Sequence, residues 1–341
     1  MENILKSRYR IGKKVSENPF SVTYMGFLIG TEKPVIVKIY KRGTLNSSLI
    51  KSMKQRVKDF ALLAHHGAAK LLDGDYGWQG FYYVREYIDG VSVQELFERG
   101  EKIGAEKAAA IADQALETLA VTHAKGIIHG ALKPSNIFLD SQGLVKLADF
   151  VIEGEIKSAL PQRIQEIVEN AKYASPEELS GEPATFASDL YSLGIILYEM
   201  TAGKPVRLAA GISGNLGKLQ GGVFSKEELA ALPGYLKEII SKATAKDQLL
   251  RFASAAEFRQ SLERKALPRT ARGEPGLARV FESVVTQYGG EEITIESESL
   301  QDVGRLKLRW GKEKHRNFLL AAILLAAVAI GVLYAFFLGN N

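Results

Sequence analysis

The sequence predicts an α+β chain of two lobes, a small β-rich one followed by a larger helical one, with a single transmembrane helix towards its C-terminal end. Three observations lead there. Residues 9–88 are dominated by runs of β-branched and aromatic residues. Residues 92–264 place their apolar residues mostly at helical spacing. Residues 318–338 run for 21 residues without a charge. With 341 residues, 46% of them apolar, the chain is long enough to bury a sizeable core.

In the first lobe, Thr23–Gly26, Val35–Tyr40 and Phe81–Ile88 read as strands. Ser47–Ala64 reads as a helix between them, because Ile50, Met53, Val57, Phe60 and Ala61 fall on one face. In the second lobe the helical stretches are Gly104–Lys125, Ser188–Met200, Leu236–Lys242 and Ala255–Glu263, with a β-like interruption at Ile127–Asp149. A cleft between two such lobes is a common place for a ligand. From residue 266 the character changes to turn formers (PRTARGEPG), one amphipathic stretch (ARVFESVVTQ) and weak alternation (EEITIESESLQD). The predicted boundaries are a bilobal domain at 9–264, a juxtamembrane linker at 265–316 and a transmembrane helix at 317–338.

As a helix, Phe318–Leu338 would span about 31 Å, close to the ~30 Å of a bilayer's hydrocarbon core. A buried core helix is the alternative, but such helices rarely lack polar residues all round for so long. Six basic residues precede the run between Arg305 and Arg316 against the one acid Glu313. That surplus equals the whole chain's formal net charge of +5. The remaining residues sum to about zero, so nothing in the general surface asks for nucleic acid. A basic flank places the preceding domain on the cytoplasmic side of a single-pass protein. The start, MENILKSRYR, has no apolar run and no signal peptide is expected. Ala327, Gly331 and Ala335 lie four apart and would let two such helices pack as a homo-oligomer. Zero Cys excludes disulfides, thiolate zinc sites and cysteine nucleophiles.

Five motifs follow one another in register. They are His129-Gly130-Ala131-Leu132-Lys133-Pro134-Ser135-Asn136, then Ala148-Asp149-Phe150-Val151, Tyr173-Ala174-Ser175-Pro176-Glu177, SDLYSLGIILYEM from Ser188, and KDQLLRF from Lys246. Together they resemble the bacterial, eukaryotic-like serine/threonine protein kinase family, from about Tyr9 to Arg264. The resemblance implies the bilobal protein-kinase-like fold, and ATP with Mg²⁺ as the cofactors to be tested. It implies Lys38, Glu86, Ile88, Asn136 and Asp149 as nucleotide-binding positions, with Asn136 and Asp149 as the metal-holding pair. Lys38 could otherwise be a surface lysine on an edge strand, and Asn136 and Asp149 could be purely structural.

The catalytic pattern is broken. Phosphoryl transfer rests on positioning and electrostatics, with an Asp that accepts the substrate hydroxyl's proton. Ala131 stands at that position, and no catalytic residue is assigned; Lys133 is retained but only positions. Counting back from His65-His66-Gly67, the partner glutamate of Lys38 falls on Arg56, or on Gln55 if the register slips by one. Ser16-Glu17-Asn18-Pro19-Phe20-Ser21 occupies the glycine-rich loop; its side chains, the missing donor of Pro19 and the charge of Glu17 all disfavour a phosphate cradle. Gly130 replaces an arginine, Val151 a glycine, and Asn170 the activation-loop threonine. Scaffold positions survive: Glu177 and Arg251 as a buried ion pair, Asp189 and Gly194 on a central helix. Arg85 stands at the back of the adenine pocket and is expected to turn into the cleft and pair with Asp149, unless it bends out to solvent. The expected function is a membrane-anchored pseudokinase working as a scaffold or allosteric signalling partner for other proteins. A slow kinase with a non-standard base, or a nucleotide sensor, are the alternatives.

Overall fold

β-Branched and aromatic residues at alternating positions build the first sheet. The computed structural model describes residues 4–150, 172–206 and 223–267, with the backbone of 295–296 and 307–308. The strands β1 (Ile4–Leu5), β2 (Tyr9–Glu17), β3 (Ser21–Leu28), β4 (Lys33–Tyr40), β5 (Leu71–Gly77) and β6 (Gly80–Glu86) form one antiparallel sheet in the order β1-β2-β3-β4-β6-β5. Strand period sorts the two faces. Tyr82 and Val84 of β6 join Val35, Val37 and Ile39 of β4 in an outer cluster. Phe81 and Tyr83 face the main core with Tyr40. Lys38 lies opposite Tyr83 in the register and Arg85 opposite Ile36, so both charged residues share the inner face.

Helix α1 (Ser47–Ala61) packs on that face through Leu49, Met53, Val57 and Phe60. The Asn46 side chain caps it by accepting from Leu49 N–H at 2.8 Å. It ends three residues short of the expected Ala64, because Leu63 N–H turns back to the Phe60 carbonyl and the chain leaves towards His65.

The second lobe begins with the short strand β7 (Gly90–Ser92), which pairs with β8 (Ile137–Asp140), and β8 pairs in turn with β9 (Val145–Leu147). Ser92 and Glu95 close a capping box on α2 (Val93–Glu98). Alanines 108, 112 and 115 bring α3 (Ala105–Ala124) close to its neighbours. After α4 (Pro176–Leu179), the helix α5 (Phe186–Ala202) is buried from Ser188 to Met200 and forms the centre of the lobe. Gly194 is required there: a Cβ would meet the Ala243 Cβ and the Thr244 Cγ2 at 2.8 Å. Those residues end α7 (Gly234–Ala243), which follows α6 (Lys226–Ala230) and precedes α8 (Ala255–Arg264).

Residues 1–270 form one unit and residues 271–341 another. In the second, Ile295 and Glu296 pair antiparallel with Leu308 and Lys307. The expected transmembrane helix at 317–338 lies outside the described residues, as do Val151 and Asn170. Among the described residues no helix is long and apolar enough to cross a membrane.

Candidate functional site

The cleft is built from β4, β6, the turn between β2 and β3, and the two loops flanking β8 and β9. Asp149 follows β9 with φ 61°, a left-handed conformation that Asp tolerates better than most residues. Its carboxylate meets two cations. Arg85 Nε–H donates to Asp149 Oδ1 at 2.9 Å, and Lys38 Nζ lies 3.9 Å from Oδ2. All three side chains are largely buried. The inward turn expected of Arg85 is therefore present. Its Nη1–H donates to the Glu86 carbonyl at 3.1 Å, and its guanidinium lies 5.5 Å from the Phe138 ring centre. The strand period explains the geometry, because the face that carries Tyr83 inward must carry Arg85 inward as well.

Glu86 pairs through its carboxylate with Lys146 Nζ at 2.7 Å, and its N–H donates to the Lys70 carbonyl at 2.9 Å. Ile88 is buried against Ala69 and Ala148. Asn136 is buried at the end of a 3₁₀ turn and spends its amide N–H on the Ala131 carbonyl at 3.0 Å, leaving its Oδ1 as an acceptor. Ala131 is itself buried and offers only a methyl group. Lys133 precedes the same turn, its carbonyl accepting from Asn136 N–H at 2.9 Å. On α1, Gln55 and Arg56 are both exposed, and Gln55 donates to Asp59.

The β2–β3 turn is closed by its own side chain. Asn18 Oδ1 accepts from Phe20 N–H at 2.9 Å and from Ser21 N–H at 2.7 Å. Those amides are the donors a phosphate would need. In the glycine-rich-loop pattern Asn18 is only a side chain where glycine is expected; the Asn-Pro pair carries the further signal, since Asn readily caps the backbone two residues on. Glu17 is ionised as expected, but its charge is offset by two cations. Lys41 and Lys14 both bond its carboxylate, at 2.8 and 2.9 Å, and hold its pKa down to about 2.

The lower wall is firmly held. Asp189 on α5 accepts from His129 N–H at 2.8 Å and from Gly130 N–H at 2.9 Å, and lies 2.9 Å from His123 Nε2. Gly130 sits at φ 70°, where any side chain would be strained. Phe150 stacks on Phe60 of α1 at 4.9 Å and lies 4.3 Å from the His129 ring, so an unbroken line of contacts runs from α1 to the central helix. Arg251 grips Glu177 with two bonds of 2.7 Å, and Ser188 adds a third to the same carboxylate.

Burial alone would raise the pKa values of Glu177 and Asp189, but Arg251 on the first and His123 on the second pull both below the usual carboxylate range. A depressed native pKa gives stability that is complete above the unfolded pKa and lost as pH falls through the native one. Unfolding free energy should therefore hold steady near neutrality and fall progressively below about pH 4.5. Urea titrations at a series of pH values check this; a stability that rises on acidification would contradict it.

These residues do not fit Mg²⁺-ATP. The Asp149 carboxylate, expected to hold the metal, already carries a guanidinium, the Glu86 carbonyl already accepts a hydrogen bond, and the turn expected to cradle phosphate is capped internally. Asn136 Oδ1 keeps an acceptor for a metal. Elsewhere, His65, His66 and Glu117 bring possible metal ligands within 4.8 Å of one another. His65 Nδ1, however, accepts from Gly67 N–H at 3.2 Å, which leaves the ring proton on Nε2 and spoils that trio as a ready ligand set.

The model of the protein kinase domain matches residues 9–259. The chain belongs to the protein kinase family. Its relatives include serine/threonine-protein kinase PrkC of Bacillus subtilis, 27% identical over 76% of this chain and 40% of the relative. A probable serine/threonine-protein kinase PknB of Lactococcus lactis is 29% identical over 75% of this chain and 41% of its own length. Serine/threonine-protein kinase PknL of Mycobacterium tuberculosis is 26% identical over 84% and 75%. The chain spans about two fifths of the length of the first two.

Proposed function

We propose that this member of the kinase family is a pseudokinase: a kinase fold without appreciable phosphoryl transfer, anchored in a membrane and acting as a scaffold or allosteric partner of signalling proteins. The observation that carries the reading is Ala131 at the proton-accepting position, where a methyl group neither takes a proton nor orients a hydroxyl. Losing a general base costs on the order of 10²–10⁴ in rate. Intact scaffold contacts support a folded partner: the Glu177–Arg251 pair and the Asp189 network are retained while the chemistry is gone. The anchor is supported by the uncharged run Phe318–Leu338 and the basic residues before it. The small-residue stripe at Ala327, Gly331 and Ala335 favours self-association there.

Incubation of the full chain with radiolabelled Mg²⁺-ATP and a generic protein acceptor tests the catalytic half of the reading. The wild type is expected to match the background of Asp149→Ala. Label transfer at ordinary rates, abolished by that substitution, would make the protein a working kinase with a different base.

A further inference from the structure

We infer that Arg85 is a built-in substitute for the nucleotide's metal, and that its guanidinium keeps Mg²⁺-ATP out of the cleft. The inference goes beyond the missing base, because it concerns binding and would hold even if a base were present.

Asp149 Oδ1, one of the two carboxylate oxygens a divalent cation could use, receives Arg85 Nε–H at 2.9 Å. A Mg²⁺ placed on that carboxylate would meet a fixed positive charge in a poorly solvated site, so metal and guanidinium compete for one anion. Nη1–H takes the Glu86 carbonyl at 3.1 Å, an acceptor on the segment that joins the lobes. A base entering there would have to share that carbonyl with a guanidinium. The Phe138 ring under the guanidinium adds a cation–π contact and limits its swing. Displacing the side chain would strip a buried charge of its partners, because Arg85 keeps only 7% of its surface exposed and its cross-strand partners, Ile36 and Leu71, are apolar.

The pair also crosses the cleft. Arg85 sits on β6 of the small lobe, while Asp149 follows β9 of the large one, beside Lys38 of β4. In an ordinary arrangement a metal-bound nucleotide would bridge those parts. Here the chain supplies a bridge of its own, and Phe150 is held on Phe60 and His129.

Equilibrium binding of ATP to the full chain, with and without Mg²⁺, tests this directly. The wild type should show no saturable binding up to millimolar nucleotide in either condition. Arg85→Met removes the guanidinium and keeps an apolar side chain of similar reach, and leaves Lys38 as the cation beside Asp149. It should bind Mg²⁺-ATP about 10- to 150-fold more tightly, the range expected when competing charged hydrogen bonds are removed. Arg85→Gln, uncharged and polar, should gain binding too, and guards against a variant that does not fold; a cooperative thermal transition identifies the folded ones. Saturable Mg²⁺-ATP binding by the wild type, lost in Asp149→Ala, would overturn the inference. So would a folded Arg85 variant that gains nothing, since the block would then lie elsewhere, as in the Asn18 turn. Neither result bears on Ala131: a wild type that binds nucleotide but transfers no phosphate leaves the proposed function standing.

Discussion

Arg251→Ala should remove about 3–5 kcal/mol of stability, the cost of leaving one member of a buried ion pair without its partner. The side chain is fully buried and serves more than Glu177. Its Nε–H donates to the Ala245 carbonyl at 2.8 Å, while Nη1–H and Nη2–H reach the Ala187 and Lys246 carbonyls at 3.1 Å. The guanidinium also lies 4.8 Å from the Tyr191 ring centre. One substitution therefore removes both guanidinium bonds from a buried carboxylate and one bond from each of three carbonyls, between α4, α5 and the loop before α8. Against a typical domain stability of roughly 5–15 kcal/mol this is a large share. Urea denaturation with a shared slope is the measurement. Glu177→Leu combined with Arg251→Met should cost much less than the two single losses added, because both charges leave together. A single-variant loss under about 1 kcal/mol would show that the pair is not the lobe's anchor.

Restoring the chemistry should require two changes at once. Ala131→Asp returns a carboxylate to the proton-accepting position, yet Asp149 remains bonded to Arg85. Arg85→Met frees Asp149 but provides no base. Each single variant should stay at the wild-type background, at least about 10⁴-fold below the ~1–100 s⁻¹ of working kinases. The double variant should be the first to transfer label above background, still slowed by the Asn18 turn. Residues that act as a unit behave this way: the first loss removes most of the activity, and a single repair restores little. Radiolabel incorporation into a protein acceptor, with Asp149→Ala added as the control, checks it. Ordinary turnover from Ala131→Asp alone would mean that Arg85 is no obstacle.

Much of the fold was legible because its signals are local and periodic. The apolar spacing of Ile50, Met53, Val57 and Phe60 led to α1, and the run around Gly194 led to the central helix. The strand β5 was harder to see, because LLDGDYG mixes Gly and Asp into a segment that pairs only through contacts with β6. The Arg85–Asp149 pair was legible from one physical argument, that a cation in an apolar strand needs a partner. What escaped was the role of side chains that close a backbone turn or pair across the surface. Asn18 capping its own turn, and Lys14 and Lys41 neutralising Glu17, depend on loop geometry that residue types alone do not specify. The Lys146–Glu86 pair likewise joins residues sixty positions apart.

On the proposed reading, the Arg85–Asp149 pair and the Asn18 turn take up groups that a nucleotide would need. The most direct measurement is a crystal structure of the full chain grown in millimolar Mg²⁺ and a non-hydrolysable ATP analogue. The expected result is Arg85 still bonded to Asp149 and Asn18 still closing its turn, with no analogue density between the lobes. An analogue seated there, its metal on Asp149 and Asn136 and Arg85 turned away, would contradict it.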